Sequence, residues 1–232
     1  MAITDATRAR AREIIARYPQ ARSALLPMLH LVQAEEGYVT VEGVAMCAEE
    51  LGLSKAEVGA VATFYTMYKR RPTGQHLVSV CTNTLCGLLG GDEIYAALSD
   101  ELGVGHDETT EDGTITLEHA ECLAACDYGP VVTVNYEFFD KQTVSSATEL
   151  VARLRAGERP TPSRGGELTS FRDAELELAG FLDEETRLRK VGAVDSLEST
   201  LRGVALAHER GETAPEADYA TVIPPVPVKE SK

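Results

Sequence analysis

Val78-Ser-Val-Cys81-Thr-Asn-Thr-Leu-Cys86-Gly87 opens a stretch that closes with Cys122-Leu-Ala-Ala-Cys126-Asp-Tyr-Gly-Pro130, and its two ends are read together. They hold four of the chain's five cysteines in two close pairs, with 35 residues between Cys86 and Cys122. Paired thiolates select a soft metal: an iron–sulfur cluster, zinc or Cu(I). The residues between the pairs say how they meet. Leu77-Val78-Ser79-Val80 reads as a short apolar strand running into Cys81. A helical stretch follows to about Leu102, with Ile94, Tyr95, Leu98 and Leu102 at helical spacing. Ile115-Thr-Leu117 then alternates after an Asp112-Gly113 turn and leads toward Cys122. A strand–helix–strand crossover is right-handed and leaves its strands parallel. Both cysteine pairs then follow strand ends at one carboxyl edge, where α/β sheets place their ligands.

Downstream, Pro130 to Val134 reads as a third strand and Phe138 to about Thr143 as its hairpin return. A helix starts near Ser146-Ala-Thr-Glu149, a capping-box pattern, and ends at Gly157. The layout is α/β, with helices flanking a small sheet. Upstream, four helices are expected: Thr4 or Asp5 to Tyr18, about Ser23 to Gly37 with Pro27 in its first turn, Thr40 to Leu51, and one capped by Ser54 and Glu57. The last places Val58, Val61, Tyr65 and Tyr68 on one face. Cys47, alone in the third helix, reads as a small buried hydrophobe. Beyond Gly157, Arg159 to Gly166 reads as a linker, Phe171 to Lys190 and Ser196 to about His208 as helices, and Gly211 to Lys232 as a proline-rich extended tail. The expected domains are a helical bundle over 1–71, an α/β metal domain over 72–157 and an extension over 158–232.

The 232 residues are 44% hydrophobic, enough for a sizeable core, and carry a net charge of −15. Such acidity argues against a general nucleic-acid binder, which would show a basic stripe, and against anionic lipid surfaces. No run approaches the ~18 apolar residues of a spanning helix, and MAITDATRAR has no apolar signal core. The sequence therefore predicts a soluble cytoplasmic protein, in which paired cysteines hold metals more often than disulfides. From Pro72 to Asp140 there is no Lys or Arg but thirteen carboxylates. A field of that sign opposes adding an electron to a metal centre.

Zinc is the main rival to a cluster, although its structural sites favour C-x(2–4)-C and the spacings here sit at that limit. A thioredoxin-type redox motif, C-x-x-C, is absent. A Rieske centre needs two histidines, and only His119 adjoins a cysteine pair. His119 reads as the last residue of a strand with a local hydrogen bond. The C-x(4)-C-x(2)-C of plant-type ferredoxins is missing too. Thr82, Asn83, Thr84 and Gly87, with Ala124, Ala125 and Gly129, are small enough for backbone N–H groups to approach sulfur, which tunes a cluster. Gly87-Leu-Leu-Gly90-Gly91 has neither the dinucleotide glycine order nor a P-loop lysine and reads as turn and helix-end residues.

Cys81-x(4)-Cys86 and Cys122-x(3)-Cys126, followed by Pro130-Val-Val-Thr-Val-Asn135, resemble the thioredoxin-like [2Fe-2S] ferredoxin family. Within it they are similar to the 24-kDa-type subunits of bacterial NADH–quinone oxidoreductase, respiratory complex I. Ala62-Thr-Phe-Tyr-Thr-Met-Tyr68 shares the likeness, which spans about residues 5 to 157. The resemblance implies a thioredoxin-like domain behind a small helical bundle and a single [2Fe-2S] cluster. Its ligands would be Cys81 and Cys86 on one iron, Cys122 and Cys126 on the other. It implies docking against a flavin subunit that binds NADH and FMN, beside a multi-cluster iron–sulfur subunit. The setting would be the peripheral arm at the cytoplasmic face of the membrane, with no insertion of this chain. Electrons pass from NADH through FMN toward quinone while the whole complex translocates protons; this chain's cluster, off the main path, would hold one electron temporarily. No complete active site lies in this chain alone. Related small subunits serve NAD-linked hydrogenases and formate dehydrogenases, and a zinc-stapled assembly subunit is the non-redox alternative.

Overall fold

A computed structural model describes residues 3–164, 166–182, 184–185 and 198–213. Four helices come first: α1 (Asp5–Ala16), α2 (Leu25–Glu36, entered through a 3-10 turn at Ala21–Ala24), α3 (Val41–Leu51) and α4 (Lys55–Phe64). Their ends follow from local chemistry. Thr4, Thr40 and Ser54 cap three N-termini by accepting from backbone N–H groups. Gly37 and Gly52 take the left-handed conformation that ends α2 and α3. Ala11, Ile14, Met28, Leu29, Val32, Met46, Cys47 and Val58 form the bundle core. Cys47 is fully buried there, as expected.

α4 is shorter than its apolar spacing predicts. Tyr65 turns to extended backbone, so Tyr65 and Tyr68 lie beyond the helix. The turn serves the next segment: the Tyr68 hydroxyl donates to the Leu26 carbonyl, and the Lys69 N–H donates to Gln33 Oε1 at 2.5 Å. Tertiary hydrogen bonds outweigh about one more turn of helix.

The sheet contains β1 (His76–Cys81), β2 (Glu108–Thr109), β3 (Ile115–Ala120), β4 (Val132–Val134) and β5 (Glu137–Phe139), in the order β2-β3-β1-β4-β5. β1 and β3 are parallel, joined by a crossover through α5 (Thr84–Leu88) and α6 (Gly91–Leu102); the other neighbours are antiparallel. β2, two residues at the edge, was not expected from the sequence. The β4–β5 hairpin turns on Asn135 and Tyr136, both with positive φ, and its second strand stops at Phe139, short of the predicted Thr143. α7 (Val144–Arg155) starts earlier than its Ser146 pattern suggested. Thr143 is the cap and Ser146 closes the box onto it.

α6 and α7 cover one sheet face. Ile94, Leu98, Ala147, Leu150, Val151 and Leu154 meet Val78, Val80, Ile115, Leu117, Val132 and Val134. The opposite face is polar yet buried: Ser79, Thr116 and Thr133 are each 3% exposed. Lys69 reaches Glu118 and Asp107 there, and Ser79 donates to Glu118 at 2.5 Å. Burial works against the lysine's charge, but the two carboxylates hold its pKa above the usual value.

α8 (Phe171–Leu178) packs on α2 and gives way to a left-handed Gly180; residues 186–190 of the expected helix lie outside the described residues. Glu175 of α8, fully buried, accepts from the Tyr136 hydroxyl and pairs with His30 Nδ1, both at 2.6 Å. One carboxylate thus ties the bundle, through α2, to the sheet, through the β4–β5 turn. Residues 196–232 form a separate unit. Within it α9 (Glu198–Glu209) matches the last expected helix, whose predicted start at Ser196 lies outside the described residues. So does the tail beyond residue 213.

Candidate metal centre

β1 delivers Cys81 as its last residue, in register with Ala120, the last residue of the parallel β3. Cys122 follows two residues later. Both cysteine loops therefore leave the same edge of the sheet, as the crossover argument required. Cys81 N–H donates to Val131 O at 3.0 Å and Thr82 N–H to Ala120 O at 3.1 Å, which fixes the loop's departure. Asn83 then bridges the loops by donating to Glu121 Oε2 at 2.5 Å.

The thiols come in two pairs. Cys81 and Cys86, each 2% exposed, pack with Ala125 and Val131. Cys86 lies inside α5 rather than before the helical stretch. Burial first, then a hydrogen bond with Cys81, pushes its thiol up to about 11. Cys122 and Cys126 are exposed, with their sulfurs 3.5 Å apart. The hydrogen bond with Cys122, with burial behind it, raises Cys126 as well. The pairs sense each other: the charge of Cys126 acts on Cys86, and that of Cys81 acts on Cys126.

Small residues admit this packing. Ala124 has φ +58, and its N–H donates to Cys122 Sγ at 3.4 Å. A Cβ at Gly129 would stand 3.3 Å from Cys86 Sγ. Gly91 is more than a helix end: a Cβ there would meet the Cys81 carbonyl oxygen at 2.4 Å. Sequence reasoning missed that close approach, for which the Gly90-Gly91 pair just after a cysteine loop was the available signal.

Among the described residues, no three His, Cys, Asp or Glu side chains gather as around a single ion. Two thiol pairs facing one another fit a binuclear centre, with two thiolates for each metal. The 3.5 Å sulfur separation approaches the ~3.8 Å across a tetrahedral ion with bonds of about 2.3 Å. His119 is next to last in β3, not last; its N–H donates to His106 Nδ1 at 3.3 Å and its ring stacks on His106. The acidic run acquires cations from outside itself: Lys69 at Glu118, Arg155 3.8 Å from Asp112, and Arg164 at Asp140.

Residues 11–155 match the family described as Thioredoxin-like [2Fe-2S] ferredoxin. The chain belongs to this family. The thioredoxin-like [2Fe-2S] ferredoxins bind a [2Fe-2S] cluster, and the two thiol pairs suit that group. Among curated members, the E subunit of the NADH-quinone oxidoreductase of Mycobacterium tuberculosis (strain ATCC 25618 / H37Rv) is 55% identical over 88% of this chain and 80% of its own. NADH-quinone oxidoreductase subunit 2 of Thermus thermophilus is 38% identical over 63% of this chain and 83% of its own. Among solved structures, an NAD+-reducing [NiFe]-hydrogenase in the air-oxidized state superposes with a TM-score of 0.51 at 16% identity. It covers 57% of this chain and 23% of that one, a likeness of fold alone. No described helix of this ferredoxin is long and apolar enough to cross a membrane.

Proposed function

We propose that this chain is the 24-kDa-type electron-transfer subunit of an NADH–quinone oxidoreductase. Its [2Fe-2S] cluster is held by Cys81 and Cys86 on one iron and Cys122 and Cys126 on the other. The observation that carries the reading is the 55% identity to a small subunit of that oxidoreductase across 88% of the chain. The two thiol pairs at one sheet edge support it. When bound, the cluster accepts and returns single electrons.

The chain's own residues do the rest. β1 and β3 hold the two loops in parallel register, and the Asn83–Glu121 hydrogen bond ties one loop to the other. Burial of Cys81 and Cys86 keeps water from one iron's ligands, while the exposed Cys122 and Cys126 mark the side open to a donor. Ala124 donates to the Cys122 sulfur and so stabilises its thiolate form. The donor is the FMN of a partner flavin subunit, which also binds NADH, and a multi-cluster iron–sulfur subunit lies alongside. The complex's peripheral arm at the cytoplasmic face of the membrane is the location. In chain order the bundle over 1–71 precedes the cluster domain at 72–157, and the extension over 158–232 follows it.

Iron, sulfide and zinc analysis of the purified chain, with visible absorbance and EPR after reduction, tests the reading. Iron and sulfide in the [2Fe-2S] ratio and an EPR signal are expected; a colourless zinc protein would sink it. Affinity purification from its own cells should bring down a flavoprotein that oxidises NADH, and recovery of the chain alone counts against the subunit assignment.

A further inference from the structure

Resting on the proposed cluster site, we propose that Arg164, in the extension beyond the family's matched span, is a positioning residue that clamps the second cysteine loop and raises the cluster's reduction potential. Arg164 forms a two-pronged pair with Asp140: Nε donates to Oδ2 at 3.0 Å and Nη2 to Oδ1 at 2.5 Å. The Asp140 side chain is 6% exposed. The guanidinium lies over the Phe138 ring, 4.5 Å from its centroid, and 5.3 Å from that of Tyr128. Both rings lead to the thiols. Phe138 packs against the buried group of Cys81, Cys86, Ala125 and Val131, and Tyr128 closes the turn that begins at Cys126.

The backbone repeats the attachment. Ser163 N–H donates to Phe138 O at 2.7 Å, Asp140 N–H to Ser163 Oγ at 2.6 Å, and Lys141 N–H to Tyr128 O at 2.8 Å. The segment read from sequence as a linker is thus bonded along β5 and the turn after it. A planar fork suits this place, since one group both bonds a carboxylate in two places and stacks on aromatic faces.

The charge matters as much as the shape. Residues 72–140 contribute no Lys or Arg, so fixed positive charge near the second loop comes from elsewhere. Arg164 supplies it, and Lys141 Nζ, 5.1 Å from the Tyr128 ring, adds a second cation. The hydrogen bonds to Asp140 keep the guanidinium charged, and Asp127, beside Cys126, also acts on it. Taking up one electron adds one negative charge to an already anionic centre, so a nearby cation favours the reduced form. Removing Arg164 would also leave the buried Asp140 carboxylate uncompensated, which works in the same direction.

The test titrates the full-length, cluster-loaded chain with dithionite, following absorbance and EPR. Arg164→Gln keeps a planar donor without the charge; its reduction equilibrium constant should fall on the order of tenfold, ~59 mV for a one-electron couple. Arg164→Lys should recover most of that shift, and Arg164→Gln with Asp140→Asn should return toward wild type. A wild-type cluster with an unshifted Arg164→Gln chain overturns this inference alone, as do equal shifts in the Gln and Lys chains. A wild-type chain that holds no iron overturns both this inference and the function proposed above. If the Arg164→Gln chain loses its cluster, Arg164→Lys decides: a wild-type potential supports the clamp, and a displaced potential or a lost cluster overturns it.

Discussion

Substituting Gly91 by alanine tests how closely α6 must approach the first cysteine pair. Gly91 is the first, buried residue of α6. A Cβ built there stands 2.4 Å from the Cys81 carbonyl oxygen, 2.9 Å from the Cys86 oxygen and 3.0 Å from the Cys86 carbonyl carbon. All three are backbone atoms, so no rotamer change relieves the overlap. Reaching an ordinary contact requires the helix start or the cysteine loop to move by at least about 1.0 Å. The helix is the harder to move, because Ile94 and Leu98 anchor it in the core and each fully buried side chain is worth about 1.5–3 kcal/mol. The displacement falls on the loop that carries Cys81 and Cys86. Overpacking of this kind costs ~1–3 kcal/mol, and each kcal/mol lowers the melting temperature of a chain this size by about 2–4 °C. The control is Gly59→Ala in α4, where nothing lies within 4 Å of the new methyl. Replacing that helical glycine should stabilise by roughly 0.5–1 kcal/mol. Thermal melts of the apo chains, with iron and sulfide content of the loaded ones, should show Gly91→Ala melting lower and binding less cluster. Gly91→Ala that melts like wild type with full cluster content would refute the close-approach argument.

Cys81→Ala and Cys126→Ala should each abolish the visible absorbance and EPR signal, whereas Cys47→Ala should keep both; a bleached Cys47→Ala chain would move the ligand set. Cys47 also carries a pH prediction, because burial pushes its thiol up to about 12. The folded state then prefers the neutral thiol, so its contribution is complete below the ordinary thiol pKa of about 8.5 and is lost as pH rises through about 12. Denaturant unfolding from pH 8 to 11 should therefore fall less steeply for Cys47→Ala than for wild type, by at most ~1.4 kcal/mol per pH unit, and parallel curves would contradict the buried-thiol assignment. Glu175→Ala strands His30 and the Tyr136 hydroxyl, both bonded to it, and should cost about 3–5 kcal/mol. Hydrogen exchange should quicken in α2 and the β4–β5 turn while cluster absorbance per folded chain holds; unchanged exchange would show that α8 is not the tie.

The shared edge of the two cysteine pairs was legible because each step rested on a local pattern. An apolar run into Cys81, helical spacing at Ile94, Leu98 and Leu102, and alternation before Cys122 define one crossover, and the parallel strands it joins share a carboxyl edge. What escaped was fixed by distant partners. β2 has only Glu108 and Thr109, with no pattern of its own, and is a strand because β3 offers it an edge. Tyr65 and Tyr68 keep helical spacing in a segment that stops being a helix to reach Leu26 and Gln33. The absence of Lys and Arg from 72–140 suggested a purely anionic setting. Folding brings Lys69, Arg155 and Arg164 to its carboxylates.

The sheet's second face shows why such misses are systematic. In β3, Ile115 and Leu117 point to the α6–α7 core, while Thr116 and Glu118 point away. Alternation of that kind ordinarily marks a face open to water. Here the polar side is closed over by Lys69, whose stem is buried and whose ammonium sits between Glu118 and Asp107. A strand's alternation records the polarity of what it faces, and a buried ion pair satisfies a carboxylate as water does. Sequence periodicity therefore places the cysteine edge, where the chain runs out of strand, better than the joint between bundle and sheet, where polar groups meet one another from segments far apart in the chain.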